Sequence, residues 1–357
     1  MKKLIAMIMA CAMILGVVAC SGTTTSTTDA TATTAEATTG IAGTVENPTI
    51  ITFGNTAPTS TDPENGYTVA AAALNDKLME LSGGTLGFEL VQDGVYGSTA
   101  QHLAQVKAGT LDGMITGFDV ATNLDNCEDF AACAMPYVFN SDEHMEKFLA
   151  SDLWASMVEQ MRESNGILIT GLFMHQPPRT LNSKTAISTP DQLKGIKIRT
   201  PESDVQIKVW TATGATPASC PATELYTNLD SGINDAQEND IVSSSSLKLY
   251  EVAPYFTEMN YIRQAQLCYI SEITWNKMSD QEKEWWNEAT AAACEAGSAA
   301  YAKKLDSAKE AIVAGGGTIV DFDYDTWKEY FSAIVKEQFD GTLYTAGLYD
   351  QIQAMDE

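Results

Sequence analysis

Apolar and polar positions change in a regular way along residues 49–116. Three apolar runs of strand length alternate with two amphipathic helical stretches, in the order 50–54, 67–81, 86–91, 98–108 and 111–116. Helix-ending glycines follow both helical stretches, at Gly83-Gly84 and at Gly109. Because strands separated by helices are joined by crossover connections, this order predicts a parallel sheet.

The alternation continues beyond residue 140 in shorter segments. Residues 142–163 are predicted as one long amphipathic helix, and 166–173 as a buried strand. Short strands and helices then alternate through 196–199, 204–213, 216–219, 222–231 and 233–238. The last segments before a polar tail are a strand, a long helix and a helical stretch, at 264–270, 279–313 and 324–339. The chain is therefore predicted to be an α/β protein.

The N-terminal residues carry the features of a secretion signal. Lys2 and Lys3 form a positive end, residues 4–18 are almost wholly apolar, and small residues lead to Cys20. This stretch resembles the lipobox of bacterial lipoproteins, which implies cleavage before Cys20 and attachment of lipid to its thiol. An ordinary signal peptide and an uncleaved anchor are the alternatives. Residues 1–19 are therefore predicted to be a signal peptide.

The next segment has the composition of a tether. Residues 21–44 consist mainly of Thr, Ala, Ser and Gly. Such a segment cannot bury enough apolar surface to offset the entropy lost on folding. Residues 20–47 are therefore predicted to be a lipidated cysteine followed by a disordered tether that holds the protein at the membrane. No later stretch of the sequence is long and apolar enough to span a bilayer.

The composition of the chain limits its function classes. It has 357 residues, of which 45% are hydrophobic, and this is enough for two domains. A net charge of −26 repels phosphate backbones, so no nucleic-acid partner is expected. Seven cysteines are present, and the five other than Cys11 and Cys20 show neither zinc-type nor C-x-x-C spacing. We expect these five to be small buried residues, and the sequence also allows one disulfide.

No catalytic motif is present in the sequence. It contains no G-x-S-x-G, no phosphate-binding loop, no H-E-x-x-H and no dinucleotide-binding glycine pattern. His102 and His144 lie in predicted helices and are expected to be solvated, and His175 lies in a predicted loop. The Asp-x-Asp-x-Asp cluster that begins at Asp321 lacks the rest of a calcium loop and is interpreted as a helix start. We therefore expect no enzyme activity, no metal and no cofactor.

The arginines carry more information, because the chain has only four of them. Arg162 lies beside glutamates in a predicted helix and is interpreted as a surface ion pair. Arg179, Arg199 and Arg263 each lie near the end of a predicted strand, where ligands of open α/β sheets bind. A forked, permanently charged donor suits a carboxylate. An acidic chain also offers each arginine a structural ion pair, and the residues alone leave both interpretations open.

Three ordered motifs in the central third carry a family resemblance. They are LKGIKIR, which ends at Arg199, GATPASCPATELY around Cys220, and DAQEN, which ends at Asn239. Together with VKAGTLDG and MPYVFNSDEHMEKF upstream, they resemble the periplasmic solute-binding subunit of TRAP transporters, the DctP type. The resemblance runs from about residue 49 to about residue 317. It implies a non-enzymatic receptor that binds a small organic acid outside the cytoplasmic membrane and delivers it to a TRAP membrane permease.

The resemblance also implies an architecture. The expected fold is a two-lobed, periplasmic-binding-protein-like α/β fold, with a ligand cleft between the lobes and a long helix that spans both. Lobe I would comprise residues 48–176 plus about 265–304. Lobe II would comprise residues 177–264 plus about 305–357.

By its position in the family motifs, Arg199 is implied to pair with the ligand carboxylate. Further ligand contacts are implied for Arg179, Asn239, Asn65, Tyr67, Asp129 and Phe130. The chain departs from the family pattern at Ala222, where many members carry an aromatic residue, and at Tyr261, where a histidine is usual and Arg263 follows nearby. Trp210 is a candidate to fill the space left by the missing aromatic. These departures favour a bulkier or aromatic acid over C4-dicarboxylates and sialic acid.

Three other functions share parts of this pattern. A ligand sensor would use the same binding fold to present its cargo to a signalling partner. An enzyme acting on organic acids at the cell surface would need a nucleophile and a base, which the motifs do not provide. An ABC-type binding protein has the same architecture, but the motifs LKGIKIR and DAQEN favour the TRAP type.

Overall fold

The computed structural model describes residues 40–356. In this range nine strands belong to one mixed sheet: β1 (Thr49–Gly54), β2 (Leu86–Val91), β3 (Gly113–Thr116), β4 (Ile167–Ser183), β5 (Lys197–Thr200), β6 (Thr216–Ser219), β7 (Ala236–Asp240), β8 (Tyr255–Ser271) and β9 (Thr318–Ile319). The same part of the chain forms twelve α-helices: α1 (Gly66–Leu81), α2 (Thr99–Ala108), α3 (Phe130–Cys133), α4 (Asp142–Leu149), α5 (Asp152–Asn165), α6 (Asp204–Ala212), α7 (Leu225–Asp230), α8 (Ile241–Ser246), α9 (Glu272–Lys277), α10 (Asp280–Ala314), α11 (Tyr324–Ile334) and α12 (Leu348–Gln353). The predicted α/β class is confirmed.

Two long strands connect two halves of the sheet. β4 and β8 are each 17 residues long and run antiparallel to each other. β3 pairs with the C-terminal end of β8, whereas β7 pairs with the C-terminal end of β4. Because β4 and β8 run in opposite directions, these pairings lie at opposite ends of the two-stranded connection. The parallel strands β2-β1-β3 therefore form a first half, and the parallel strands β7-β5-β6 form a second half.

The connection between the halves is irregular. The pairing of β4 with β8 changes register several times between Ile169 and Leu181. Pro177 and Pro178 lie within this stretch, and a proline has no amide hydrogen to donate to a neighbouring strand. The sequence predicted only one end of each strand, because this polar and proline-containing centre interrupts the apolar pattern. As a result of the extension, Arg179 lies in β4 and Arg263 lies in β8.

A 35-residue helix, α10, contacts both halves. In the first half it packs against α1, and a side chain in place of Gly297 would collide with Ala70. Its Trp286 is fully buried and packs against Phe53 and Phe88. In the second half the same helix packs against α8. The helix that spans both lobes, which the resemblance implies, is therefore present.

Two segments differ from the prediction. The single helix predicted over 142–163 is divided into α4 and α5, because Ser151 accepts a hydrogen bond from the Trp154 amide and begins a second helix. The tail that follows residue 339 is not polar throughout. It contains α12, whose Leu348, Tyr349 and Ile352 are buried, in a segment too short for its periodicity to be read.

The histidines also differ from the prediction, because His102 and His144 are buried and not solvated. The His144 ring bonds at both nitrogens: the Asn140 amide donates to Nδ1 (3.1 Å), and Nε2 lies 2.8 Å from the carbonyl oxygen of Ile352. The His102 ring has no hydrogen-bond partner among residues 40–356, and its burial lowers its pKa. His175 lies in β4 and not in a loop, with Nε2 3.0 Å from a carboxylate oxygen on α4.

Most of the predicted export and anchoring segment lies outside the described residues, including the signal peptide and Cys20. Residues 40–47, which were assigned to the tether, pack against the rest of the chain. The Ile41 and Ala42 amides donate to the Glu282 carboxylate at the start of α10, at 2.9 and 2.6 Å. Within the part of the chain that the structure describes, no helix has the length and apolarity needed to cross a membrane.

Candidate functional site

A cavity of about 460 Å³ lies where the two halves of the sheet meet. The first half contributes the segment that follows β1, residues 55–61, and the end of β3 with the segment after it, residues 116–120. The second half contributes residues at the ends of β5 and β6, including Arg199 and Cys220. The connecting strands β4 and β8 complete the wall. The cavity therefore lies at the carboxyl ends of parallel strands, which is where open α/β sheets bind ligands.

Arg199 lies in the wall of this cavity with only 3% of its surface exposed. Its Nε donates to the Cys220 carbonyl oxygen at 2.9 Å, and Nη2 donates to the same oxygen. Burial lowers the pKa of this guanidinium, and interactions with Cys220 and Glu238 offset the effect only in part. An arginine remains charged in spite of such a shift. Arg162, Arg179 and Arg263 each form an ion pair, whereas Arg199 has no carboxylate within 4.0 Å among residues 40–356.

Arg179 also lies in the wall, with 12% of its side chain exposed, but its surroundings are different. It forms an ion pair with Glu238, whose side chain is fully buried. Nη2 donates to Glu238 Oε1 at 2.9 Å and to the carbonyl oxygen of the same residue at 2.8 Å, while Nη1 donates to the Gln264 side chain. Burial alone would lower the pKa of Arg179, but the Glu238 carboxylate outweighs it and raises the pKa above its ordinary value. The charge of Arg179 is therefore neutralised inside the protein.

The Glu238 carboxylate also holds an aromatic cluster behind the wall. The Tyr261 hydroxyl donates to Glu238 Oε2 at 2.7 Å, and the Trp210 indole N–H donates to the Tyr261 oxygen at 3.2 Å. Both rings pack against Phe331. Trp210 is fully buried in this cluster and does not line the cavity. The structure therefore does not bring Trp210 to the space that Ala222 leaves open.

Four other predicted residues line the cavity. Asn65 begins α1, and its side-chain oxygen accepts from the Tyr67 amide at 3.0 Å. The Tyr67 side chain is buried, and burial raises the pKa of its hydroxyl. Asn239 lies on β7, and its Oδ1 accepts from the following amide at 2.9 Å. Ala222 begins a short 3-10 helix after β6. These residues come from both halves and meet at one cavity.

Of the three remaining predicted residues, Arg263 lines the cavity, whereas Asp129 and Phe130 lie away from it. Asp129 accepts from the Thr345 amide (2.7 Å) and hydroxyl (3.1 Å), and so attaches the C-terminal segment instead of lining the cavity. Phe130 is buried against Trp154 in the core. Arg263 lies on the cavity wall, and its Nη1 pairs with Asp142 at 3.2 Å.

Several polar residues on the wall were missed from the sequence. Gln176 on β4 donates to the Tyr301 hydroxyl at 3.1 Å and accepts from Gln266 on β8 at 2.8 Å. Asn55, which follows β1, donates to a backbone carbonyl at 2.8 Å. Asp119 follows β3 and also lines the cavity. Asn55 and Asp119 could have been found from the sequence, because each is a polar residue shortly after a predicted strand.

Residues 40–356 contain no group of three or more His, Cys, Asp or Glu side chains arranged to hold a metal ion. The five cysteines in this range are free; Cys127, Cys133 and Cys268 are buried, and Cys220 and Cys294 are half-buried. Asp323 accepts from the Thr326 amide at 2.7 Å and begins α11, so the aspartate cluster does mark a helix start.

Known proteins resemble this chain over most of its length. A solute-binding protein of Roseobacter denitrificans is 28% identical over 261 residues, which are 73% of this chain and 79% of that protein. The 2,3-diketo-L-gulonate-binding periplasmic protein of Escherichia coli is 28% identical over 284 residues, which are 76% and 82% of the two chains.

Solved structures share the fold. A TRAP periplasmic solute-binding protein of Roseobacter denitrificans with bound L-galactonate matches with a TM-score of 0.76 and 24% identity, over 86% of this chain and 98% of that one. A Shewanella oneidensis protein of the same kind with bound succinate matches with a TM-score of 0.77 and 18% identity, over 87% and 100% of the chains. These proteins are two-lobed with a ligand cleft, so the predicted fold class is confirmed.

A family model described as bacterial extracellular solute-binding protein, family 7, matches residues 55–342. This range includes β2 to β9 and the whole cavity wall, and it begins directly after β1. The members of this family are extracytoplasmic substrate-binding receptors and not enzymes. The chain therefore belongs to the DctP family of solute-binding proteins, the family of the TRAP-transporter receptors.

Proposed function

We propose that this protein is the non-enzymatic receptor of a TRAP transporter, which captures a small organic acid and delivers it to a membrane permease. The observation that carries the proposal is Arg199, a buried guanidinium at the cavity wall with no carboxylate partner in the described chain. A buried charge is costly unless it is paired. A ligand carboxylate supplies the missing pair with two parallel hydrogen bonds.

The other predicted wall residues complete the site in this proposal. Asn239 and Asn65 lie on opposite halves and donate hydrogen bonds to the remainder of the ligand. Arg179 contributes mainly by holding Glu238 in place, since its donors are already occupied. Tyr67 and Ala222 shape the wall. Because Trp210 lies behind the wall, a preference for an aromatic acid is not part of this proposal.

Ligand capture would involve movement of the two halves as lobes, with residues 48–176 plus about 265–304 on one side and 177–264 plus about 305–357 on the other. The irregular pairing of β4 with β8 is the place where such a hinge fits. A ligand held between the lobes stabilises the closed state by contacts made only there. Cleavage before Cys20 and lipid attachment would keep the receptor at the outer face of the cytoplasmic membrane.

The ligand class rests on chemistry shared with similar proteins. The structural neighbours include proteins with bound L-galactonate, galacturonate and succinate, all small acids. A cavity of about 460 Å³ is within the size range of small-molecule sites. A small acid sugar or carboxylate is therefore the ligand that we propose here.

Isothermal titration calorimetry with a panel of such acids tests the proposal. Arg199→Gln should weaken the best ligand by about 2–5 kcal/mol, because the carboxylate then enters a buried site without its counter-ion. Arg162→Gln is the matched control, since this arginine pairs with glutamates outside the cavity and its loss should leave affinity unchanged. Unchanged affinity in a folded Arg199→Gln variant would contradict the proposal.

A further inference from the structure

The charges on the cavity wall are unevenly balanced. Three arginines line it, and the described lining residues include neither lysine nor histidine. Two of the arginines are already paired, Arg179 with Glu238 and Arg263 with Asp142. If Arg263 turned towards a ligand it would leave Asp142 without its partner, so the sum of the local charges would not change. Among the described residues that line the cavity, Arg199 alone offers an uncompensated positive charge.

Two carboxylates also line the cavity. Asp119 lies in the segment after β3, is half-buried, and its carboxylate oxygens have no hydrogen-bond donor among the described residues. Glu202 lies three residues after Arg199 and is exposed. β3 and β5 are separated in the sheet by β8, β4 and β7. Asp119 and Arg199 therefore lie on opposite sides of the cavity, one negative and one positive.

The rest of the polar wall is neutral. It consists largely of amide and hydroxyl groups, among them Asn55, Asn65, Gln176, Asn239, Gln264 and Gln266. The N-terminus of α1 also reaches the wall, but the Asn65 side chain already accepts from its first amides. Such a wall forms hydrogen bonds with hydroxyl groups and provides no second counter-ion for an anion.

We infer that the cavity selects a small monocarboxylate with several hydroxyl groups, that it excludes dicarboxylates, and that Asp119 is the residue that enforces this choice. The inference rests on the proposed function, since it places the one carboxylate at Arg199. The far end of the ligand then reaches the side of the cavity that carries Asp119. A hydroxyl there donates to the Asp119 carboxylate, whereas a second carboxylate would be desolvated next to a like charge. Repulsion of this kind is an effective source of specificity.

Matched acids test the inference by calorimetry. Galactonate and galactarate have the same carbon chain and differ only in the terminal group, a hydroxymethyl in one and a carboxylate in the other; gluconate and glucarate form a second such pair. Butyrate and succinate form a pair without hydroxyl groups. We expect galactonate or gluconate to bind about tenfold or more tightly than its dicarboxylate partner and than butyrate. A dicarboxylate that binds as well as its partner, or the failure of both hydroxylated monocarboxylates to bind, would overturn the inference.

Asp119→Asn tests the role assigned to that residue. The variant keeps the size of the side chain and removes its charge. The ratio of the affinities for the monocarboxylate and for its dicarboxylate partner should therefore fall about tenfold, or the preference should disappear. Asp325→Asn, an exposed change outside the cavity, is the control for net charge and should keep the full preference. An unchanged preference in a folded Asp119→Asn variant would remove Asp119 from the inference.

Arg199→Gln separates the two proposals. If a dicarboxylate binds as well as its partner and this binding still requires Arg199, the selection inferred here is wrong and the receptor function stands. If binding of every acid is independent of Arg199, the proposed function itself is wrong.

Discussion

Arg179 and Arg199 are two arginines in the wall of one cavity, the first half-buried and the second buried, and their surroundings differ. Arg179 forms an ion pair with a carboxylate of the protein, Glu238, and it also donates a hydrogen bond to the Gln264 side chain. Arg199 donates to a single carbonyl oxygen, that of Cys220, and lies in the cavity wall without a carboxylate in contact among residues 40–356. The pKa of the guanidinium is raised in Arg179 and lowered in Arg199.

This difference separates an arginine that is paired inside the protein from one that has no carboxylate partner in the described chain. Arg179 lies on the connecting strand β4 and Arg199 on β5 of the second half, and both strands belong to the same sheet, so a strand position alone does not distinguish them. The two arginines differ in the number of carboxylates that contact them. A buried ion pair fixes the positions of its two side chains. A buried charge without a counter-ion lowers the stability of the ligand-free protein and raises its affinity for an anion.

The largest effect is expected when the Arg179 pair is broken. Glu238→Gln keeps the shape of the side chain but leaves the Arg179 charge buried and uncompensated. Removal of one member of a buried ion pair costs about 3–5 kcal/mol. We therefore expect the free energy of unfolding, measured by urea denaturation without ligand, to fall by about that amount.

Arg199→Met is the matched control for Glu238→Gln. It removes a buried charge that has no carboxylate partner, so the free energy of unfolding of the empty protein should be unchanged or higher. If the two variants destabilised the protein equally, the two arginines would not differ in the way described.

A smaller loss of stability is expected when Tyr261, which bonds to the Glu238 carboxylate of the Arg179 pair, loses its hydroxyl. Tyr261→Phe removes the hydroxyl that donates to Glu238 and that accepts from the Trp210 indole. A hydrogen bond to a buried charged group contributes about 2 kcal/mol, so the free energy of unfolding should fall by about 2 kcal/mol. Urea denaturation measures this loss.

Tyr344→Phe is the control for Tyr261→Phe. The Tyr344 hydroxyl is buried without a hydrogen-bond partner in residues 40–356, so its removal should cost nothing. An equal loss in both tyrosine variants would show that ring packing, and not the bond to Glu238, is responsible.

The order of strands and helices was predictable because each element carries its own apolar period. The position of Arg199 near the end of β5 was predictable for the same reason. The strand-end positions predicted for Arg179 and Arg263 were wrong, because β4 and β8 extend through them. The family motifs implied that Arg199 meets the ligand carboxylate, and this stays a prediction. The structure adds that Arg199 is the one arginine of residues 40–356 without an ion pair.

Other features depend on contacts between distant residues, which one sequence does not reveal. The Arg179–Glu238 pair joins residues 59 positions apart, across the pairing of β4 with β7. The burial of His144 depends on a carbonyl 208 positions away. Trp210 was assigned to the cavity by the nearby loss of an aromatic residue, but its indole N–H finds a partner only in the core, at Tyr261.

The smallest effect is expected at Arg263, the third arginine of the wall. Its pair with Asp142 joins two partly exposed side chains, with 29% and 51% of their surfaces accessible. Solvent screens such a pair, so Arg263→Gln should lower the free energy of unfolding by less than about 1 kcal/mol, and added salt should reduce the loss further. Asp142→Asn should have the same small effect, and the double variant should cost no more than either single one. A loss as large as that of Glu238→Gln would mean that Arg263 resembles Arg179 and not a surface pair, because only a desolvated pair resists screening by salt and is costly to break.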